Sequence, residues 1–194
     1  MTALIQHTGE QEQLFILLMQ RLDDENRLVR LQAANFLYML TGEVPDEYTE
    51  KIFDSTLTLY AEHGFNASTF ACRVTVSTLS DIYSGIVSGI GTLKGPLHGG
   101  ANEEAMRMLL EIGSPANADA WVRDALTNKK KIMGFGHREY KNQDSRAMYL
   151  TPLAKELGER KGNTTWGKIA DVLEKVMHEE KNLHPNVDFP AAYL

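Results

Sequence analysis

Three histidines in this sequence stand beside glycines rather than within helical stripes: His63 before Gly64, His98 before Gly99-Gly100, and His137 after Gly136. Glycine admits sharp turns and close backbone approach, which frees a neighbouring imidazole from a packed face. An imidazole can give or take a proton near neutral pH. Each histidine alone also fits a structural role, but the repeated context points to a shared cleft. His178 and His184 read as a solvated helix face and a loop, and His7 as a terminal residue. There is no H-x-x-x-H, no C-x-x-C and one cysteine, so no metal site is expected. Gly134-Phe135-Gly136 lacks the lysine and Ser/Thr of a phosphate loop. Cys72, between Phe70 and Val74, reads as a small core residue rather than a nucleophile.

Charge concentrates near the third histidine. Lys129, Lys130, Lys131, Arg138 and Lys141 are opposed within that run only by Glu139. Such a run can be a solvated loop, or an anion trap beside His137. Arg146 follows at the expected start of a helix, where free N–H groups already favour anions. Its planar fork suits both oxygens of a carboxylate.

The elements that must position these groups read as helices. Apolar residues recur at three- and four-residue steps over Leu28–Leu40, Asp46–His63, Ala101–Ile112, Ser114–Leu126, Asp144–Gly158 and Asn163–Lys181, and Leu14–Met19 suggests a further buried helix. Ala67–Tyr83 reads as one helix. The Gly85-x-x-x-Gly89 stretch after it reads as a buried helix that a neighbour can approach closely. Trp166, Ile169, Leu173, Val176 and Met177 form the stripe of the last long helix. Two prolines, Pro185 and Pro190, prevent the tail from being helical throughout. The fold class expected is all-α, with about seven or eight helices.

Composition sets the outer bounds. The chain has 194 residues, 20 Lys+Arg, 26 Asp+Glu and a formal net charge of −6 at pH 7. That balance argues against a general nucleic-acid partner. A chain of this length buries roughly 70% of its unfolded surface and needs no disulfide staple. No window has the ~20 uncharged apolar residues of a membrane span, and Met1–Glu12 lacks the pattern of a signal peptide. A soluble, cytoplasmic protein is the expectation.

Five segments then coincide with one family. Gly95-Pro96-Leu97-His98-Gly99-Gly100-Ala101-Asn102-Glu103, Gly134-Phe135-Gly136-His137-Arg138, Asp144-Ser145-Arg146 and Pro185-Asn186-Val187-Asp188-Phe189 resemble citrate synthases, in the family's order. Ala61-Glu62-His63-Gly64-Phe65-Asn66-Ala67-Ser68-Thr69 is similar to the family's upstream histidine segment. The resemblance runs from about Ala33 to Leu194 and is closer to bacterial and archaeal members, including 2-methylcitrate synthases. Met1–Arg30 has no matched counterpart.

The resemblance implies an all-helical homodimer, each subunit having a large and a small domain with the active site between them. Residues 1–99 would form part of the large domain and 100–194 the small, coenzyme A-binding one. It implies a transferase, with no permanently bound cofactor and a coenzyme A thioester as substrate. Acetyl-CoA condenses with oxaloacetate to citryl-CoA, then to citrate and CoA; propionyl-CoA is the alternative donor. Asp188 matches the base that removes a methyl proton, His98 the donor to the developing enol oxygen, and His137 the donor that polarises the oxaloacetate carbonyl. His63 and Arg146 match oxaloacetate ligands. CoA is expected near Lys131, Gly134 and Gly136.

The physics suits those roles. A thioester methyl is a very weak acid, so the enol oxygen must be stabilised as the proton leaves. A neutral His98 at a helix start can donate there, and apolar Val187 and Phe189 can desolvate Asp188 and strengthen it as a base. Two local departures stand out: Ser145 replaces the family's usual proline, and Glu139 occupies a usually apolar position. The chain is also shorter than family subunits, and arginines that follow the aspartate in the family have no position here. The chain is therefore expected to be incomplete at both ends. It would be either an active synthase or an impaired subunit that associates with a full-length one.

Overall fold

The computed structural model describes residues 27–61, 66–137 and 143–194, and among these the regular structure is helical. The chain divides into two compact units, one ending at Tyr60 and the other starting at Ala61.

The first unit has α1 (Arg27–Thr41) and α2 (Glu47–Ala61). Asp46 starts α2 by accepting the Thr49 N–H at 2.8 Å and the Thr49 hydroxyl at 3.0 Å, satisfying an otherwise orphaned donor. Phe36 and Phe53 stack across the pair with ring centroids 5.4 Å apart. The Leu14–Met19 helix lies outside the described residues.

The second unit opens with a helical hairpin, α3 (Ala67–Ser77) and α4 (Ile82–Leu93). The single helix expected over Ala67–Tyr83 is thus broken. Ser77 and Thr78 turn their hydroxyls back onto the Val74 and Thr75 carbonyls, Leu79 takes φ 63°, and Asp81 caps a new helix through Ser84. The Ser84 amide and hydroxyl hold the Asp81 carboxyl below its usual range. The helix expected to be buried around Gly85 and Gly89 is buried on its glycine face alone. A Cβ on Gly85 would lie 2.9 Å from Val76, and one on Gly89 would strike the Cys72 sulfur. Ile86, Val87 and Ile90 are more than half exposed. Cys72 is half-buried in this seam, its thiol donating to the Gly85 carbonyl at 3.2 Å, rather than in the core.

The remaining helices build the main core. They are α5 (Ala101–Ile112), α6 (Pro115–Thr127), α7 (Ser145–Arg160), α8 (Thr165–Lys181) and the short α9 (Asp188–Ala192). Proline at the first position of α6 and Gly113 at φ 70° beyond α5 fix one corner. Leu109, Ile112, Val122, Ile169, Leu173, Val176 and Phe189 interlock at its centre. The stripe expected on α8 supplies Ile169, Leu173, Val176 and Met177 to this core, with Trp166 half-buried at its margin. The tail does gain a helix despite Pro190, which falls in the first turn of α9, where its missing N–H has no partner to lose. The 99/100 boundary expected from the resemblance falls between the hairpin and this bundle, inside the second unit. Among the described residues no helix is long and apolar enough to cross a membrane.

Candidate functional site

His98 sits on the tight turn that joins α4 to α5. Its N–H donates to the Gly95 carbonyl at 2.9 Å, and its own carbonyl accepts from Ala101 at 2.9 Å. The following glycines are required by the turn itself, since a Cβ on Gly99 would lie 2.5 Å from the Leu93 carbonyl oxygen. The imidazole reaches back thirty residues, to the start of α3. Nε2 accepts the Ser68 N–H at 3.2 Å and lies 2.9 Å from the Ser68 hydroxyl. An amide can only donate, so Nε2 carries the lone pair and the ring proton sits on Nδ1. The ring is thereby oriented, with Nδ1–H as its donor.

His137 is half-buried on a loop that pairs with the chain just before α9. Gly136 N donates to the His184 carbonyl at 2.9 Å, and Asn186 N to the Gly134 carbonyl at 2.9 Å. Phe135 and Pro185 form an isolated antiparallel bridge. Gly134 is needed here on two counts. It takes φ 78°, and a Cβ would come within 2.7 Å of the Phe189 Cβ. Phe135 packs on Phe189 with ring centroids 4.7 Å apart.

Asp188 is half-buried at the start of α9, between the buried Val187 and Phe189. Its N–H donates to Asn186 Oδ1 at 3.1 Å. Asn186 Nδ2 in turn donates to the Gly136 carbonyl at 2.9 Å. Arg146 is buried in the first turn of α7. Its Nε and Nη2 donate to the two oxygens of Asp144 at 3.0 and 2.8 Å. Asp144 Oδ2 also accepts the Val187 N–H at 3.0 Å. The segments carrying His137, Arg146 and Asp188 are therefore joined by direct hydrogen bonds. His98 stands three residues before the start of α5, and α5 packs against α9.

The basic run is less available as a unit than its composition suggests. Lys130 is drawn onto Glu111 at 2.8 and 3.0 Å and lies 4.7 Å over the Trp121 ring. Hydrogen bonds from Lys130 and then Trp121 hold the Glu111 carboxyl below its usual range. Lys131 is exposed, next to the paired loop. Arg138, Glu139 and Lys141 lie outside the described residues, as does His63. Among the described residues no group of three or more metal-ligating side chains forms.

Sequence reasoning gave no site role to Asp144, Asn186, Ser68 or His184, although the first three lie within the segments that carry the resemblance. Only Asn186 carried a local signal. Asn-x-Asp after a proline marks a turn in which the asparagine side chain accepts a backbone N–H two residues on.

Comparison with known proteins fits this arrangement. The family model for the citrate synthase C-terminal domain matches residues 14–194, so the likeness begins earlier than Ala33 and takes in part of the stretch expected to have no counterpart. A citrate synthase of Synechocystis is 54% identical over 160 residues, covering 81% of this chain and 40% of that protein. A 2-methylcitrate synthase of Mycobacterium tuberculosis is 50% identical, covering 81% of this chain and 40% of its own length. The citrate synthase of the archaeon Thermoplasma acidophilum, solved as a ternary complex with carboxymethyl coenzyme A and oxaloacetate, superposes with a TM-score of 0.76 at 39% identity. The alignment covers 83% of this chain and 44% of that one. The chain thus spans about two fifths of the length of the curated relatives it matches. With its glycine-flanked histidines, paired loop and late aspartate all within the matched span, the chain belongs to the citrate synthase family.

Proposed function

We propose that this chain carries the condensing centre of a citrate synthase-type acyltransferase, acting on acetyl-CoA and oxaloacetate. The observation that supports it best is the hydrogen-bonded junction of the His137 loop, Arg146 and the segment entering Asp188. Asp188 takes a proton from the thioester methyl. His98 Nδ1–H donates to the carbonyl oxygen as it becomes the enol oxygen, which spares the site a full negative charge. The enol carbon attacks the keto carbon of oxaloacetate, whose oxygen His137 polarises. The resulting citryl-CoA thioester is hydrolysed to citrate and CoA. Arg146 and His63 bind oxaloacetate, with the Asp144 carboxylate setting the plane of the guanidinium.

Residues 100–194 serve as the small lobe that receives coenzyme A, near Lys131, Gly134 and Gly136. Gly136 and Gly134 already spend their inward polar groups on the paired loop, so CoA meets this segment from its outer side, where Lys131 is exposed. The thioester is a substrate and leaves as free CoA; no permanently bound cofactor takes part. The apolar outer surface of the hairpin, with Phe70, Val74, Ile86, Val87 and Ile90 exposed, supports a homodimer built on α3 and α4. A cytoplasmic location accords with these substrates, and the reaction is that of the tricarboxylic acid cycle.

Release of free thiol from acetyl-CoA on addition of oxaloacetate tests the reading. Comparison with propionyl-CoA decides between citrate and 2-methylcitrate formation. The same apolar surface also suits pairing with a full-length synthase subunit. Thiol release that appears only when such a subunit is added, together with co-purification, selects that alternative.

A further inference from the structure

The Asn186 side chain touches both halves of the junction through their backbones. Nδ2 donates to the carbonyl of Gly136, the residue before His137, at 2.9 Å. Oδ1 accepts the N–H of Asp188 at 3.1 Å. The two ends of the amide cannot be exchanged, because a flipped side chain would set donor against donor and acceptor against acceptor. The other fastenings of this loop do not need the side chain. Gly136 N to His184 O, Asn186 N to Gly134 O and the Phe135–Phe189 contact all persist without it. What the side chain adds is a direct link between the chain entering His137 and the amide of Asp188.

From this we infer that Asn186 is a positioning residue, which sets the register between the loop bearing His137 and the residue bearing the base, Asp188. The inference rests on the condensation proposed above, in which the carbonyl donor and the base must address two substrates held side by side. Misplacement of reacting groups by about 1 Å can cost around 100-fold in rate. Asn186 itself need not touch either substrate.

Asn186→Ser is the informative substitution. A serine hydroxyl can still accept the Asp188 N–H in the equivalent local turn, but cannot reach the Gly136 carbonyl. The expected result is a fall in kcat of about 10- to 100-fold with KM for oxaloacetate within about 3-fold. The thermal midpoint and amide protection of α8 should stay near wild type. NMR supplies a readout that needs no turnover: the His137 ring resonances should shift, and exchange of the Gly136 amide should accelerate. Unchanged kcat together with an unmoved His137 ring overturns the inference. So does a loss of turnover accompanied by equal loss of protection throughout α8, which is general unfolding. A displaced His137 ring in a chain whose wild type shows no oxaloacetate-dependent turnover sinks the condensation and upholds the register role.

Discussion

Asp144 and Arg146 form a two-point ion pair two residues apart, Nε on Oδ1 at 3.0 Å and Nη2 on Oδ2 at 2.8 Å, with side chains only 1% and 9% exposed respectively. The same carboxylate accepts the amides of Arg146 and Val187 at 3.0 Å each. It therefore caps α7, orients the guanidinium and anchors the approach to Asp188. Removing one partner of a buried pair strands the other's charge and costs about 3–5 kcal/mol. Asp144→Ala is expected to lower the stability of the second unit by that amount in a urea melt. Asp144→Asn, which keeps an acceptor oxygen, should lose less. Equal, small effects in both variants would mean that the carboxylate does not balance Arg146.

Gly134 and Gly162 separate conformational strain from steric exclusion. Both hold a left-handed backbone, φ 78° and 72°, but a Cβ on Gly162 meets nothing within 4 Å whereas one on Gly134 meets Phe189 Cβ at 2.7 Å. Gly162→Ala should cost about 1–2 kcal/mol, the left-handed penalty alone. Gly134→Ala should cost more, because Phe189 is fully buried and cannot step aside. Chemical denaturation of the two variants side by side checks the order; equal losses would place Phe189 elsewhere.

Glu174 gives the fold a pH dependence of definite sign. Burial pushes its carboxyl above the usual range, with Asp171 adding to the rise and Lys155 opposing it, and its Oε1 is buried without a hydrogen-bond partner. A raised folded-state pKa means that the folded protein holds the proton more tightly than the unfolded chain. This contribution is fully present below the unfolded value of about 4.3 and is lost as pH rises through the folded value. Glu174→Gln should therefore be more stable than wild type at pH 7, with the advantage shrinking toward acid pH. Thermal melts between pH 4 and pH 7 provide the measurement. An advantage independent of pH would assign the effect to packing.

Much of the helical frame was legible in the sequence because its punctuation is local. Gly113 with Pro115, Asp144 and the Asn182 terminus lie where the apolar periodicity stops, and α5, α6 and α8 fall close to their expected bounds. The α3–α4 break was not legible, because no glycine or proline marks it. A leucine takes the left-handed conformation, and the decision rests on hydroxyls that compete for carbonyls. His98, His137 and Arg146 were singled out from residue types and context, and Asp188 from the family resemblance alone. Their orientation was not, because it depends on partners far along the chain: Ser68 is 30 residues from His98, and Asn186 is 50 from Gly136. The basic run shows the converse. Composition left a solvated loop and an anion trap both open, and Glu111, on a different helix, takes Lys130 out of any such trap.

The proposal that Asp188 is the base is tested most directly by measuring oxaloacetate-dependent thiol release and oxaloacetate binding together, in wild type and Asp188→Ala. Loss of one essential proton acceptor is expected to reduce turnover by about 100- to 10,000-fold. Oxaloacetate affinity by calorimetry should change little, since Arg146 and His137 remain. Thiol release that persists in Asp188→Ala, or oxaloacetate binding that disappears with it, contradicts the assignment.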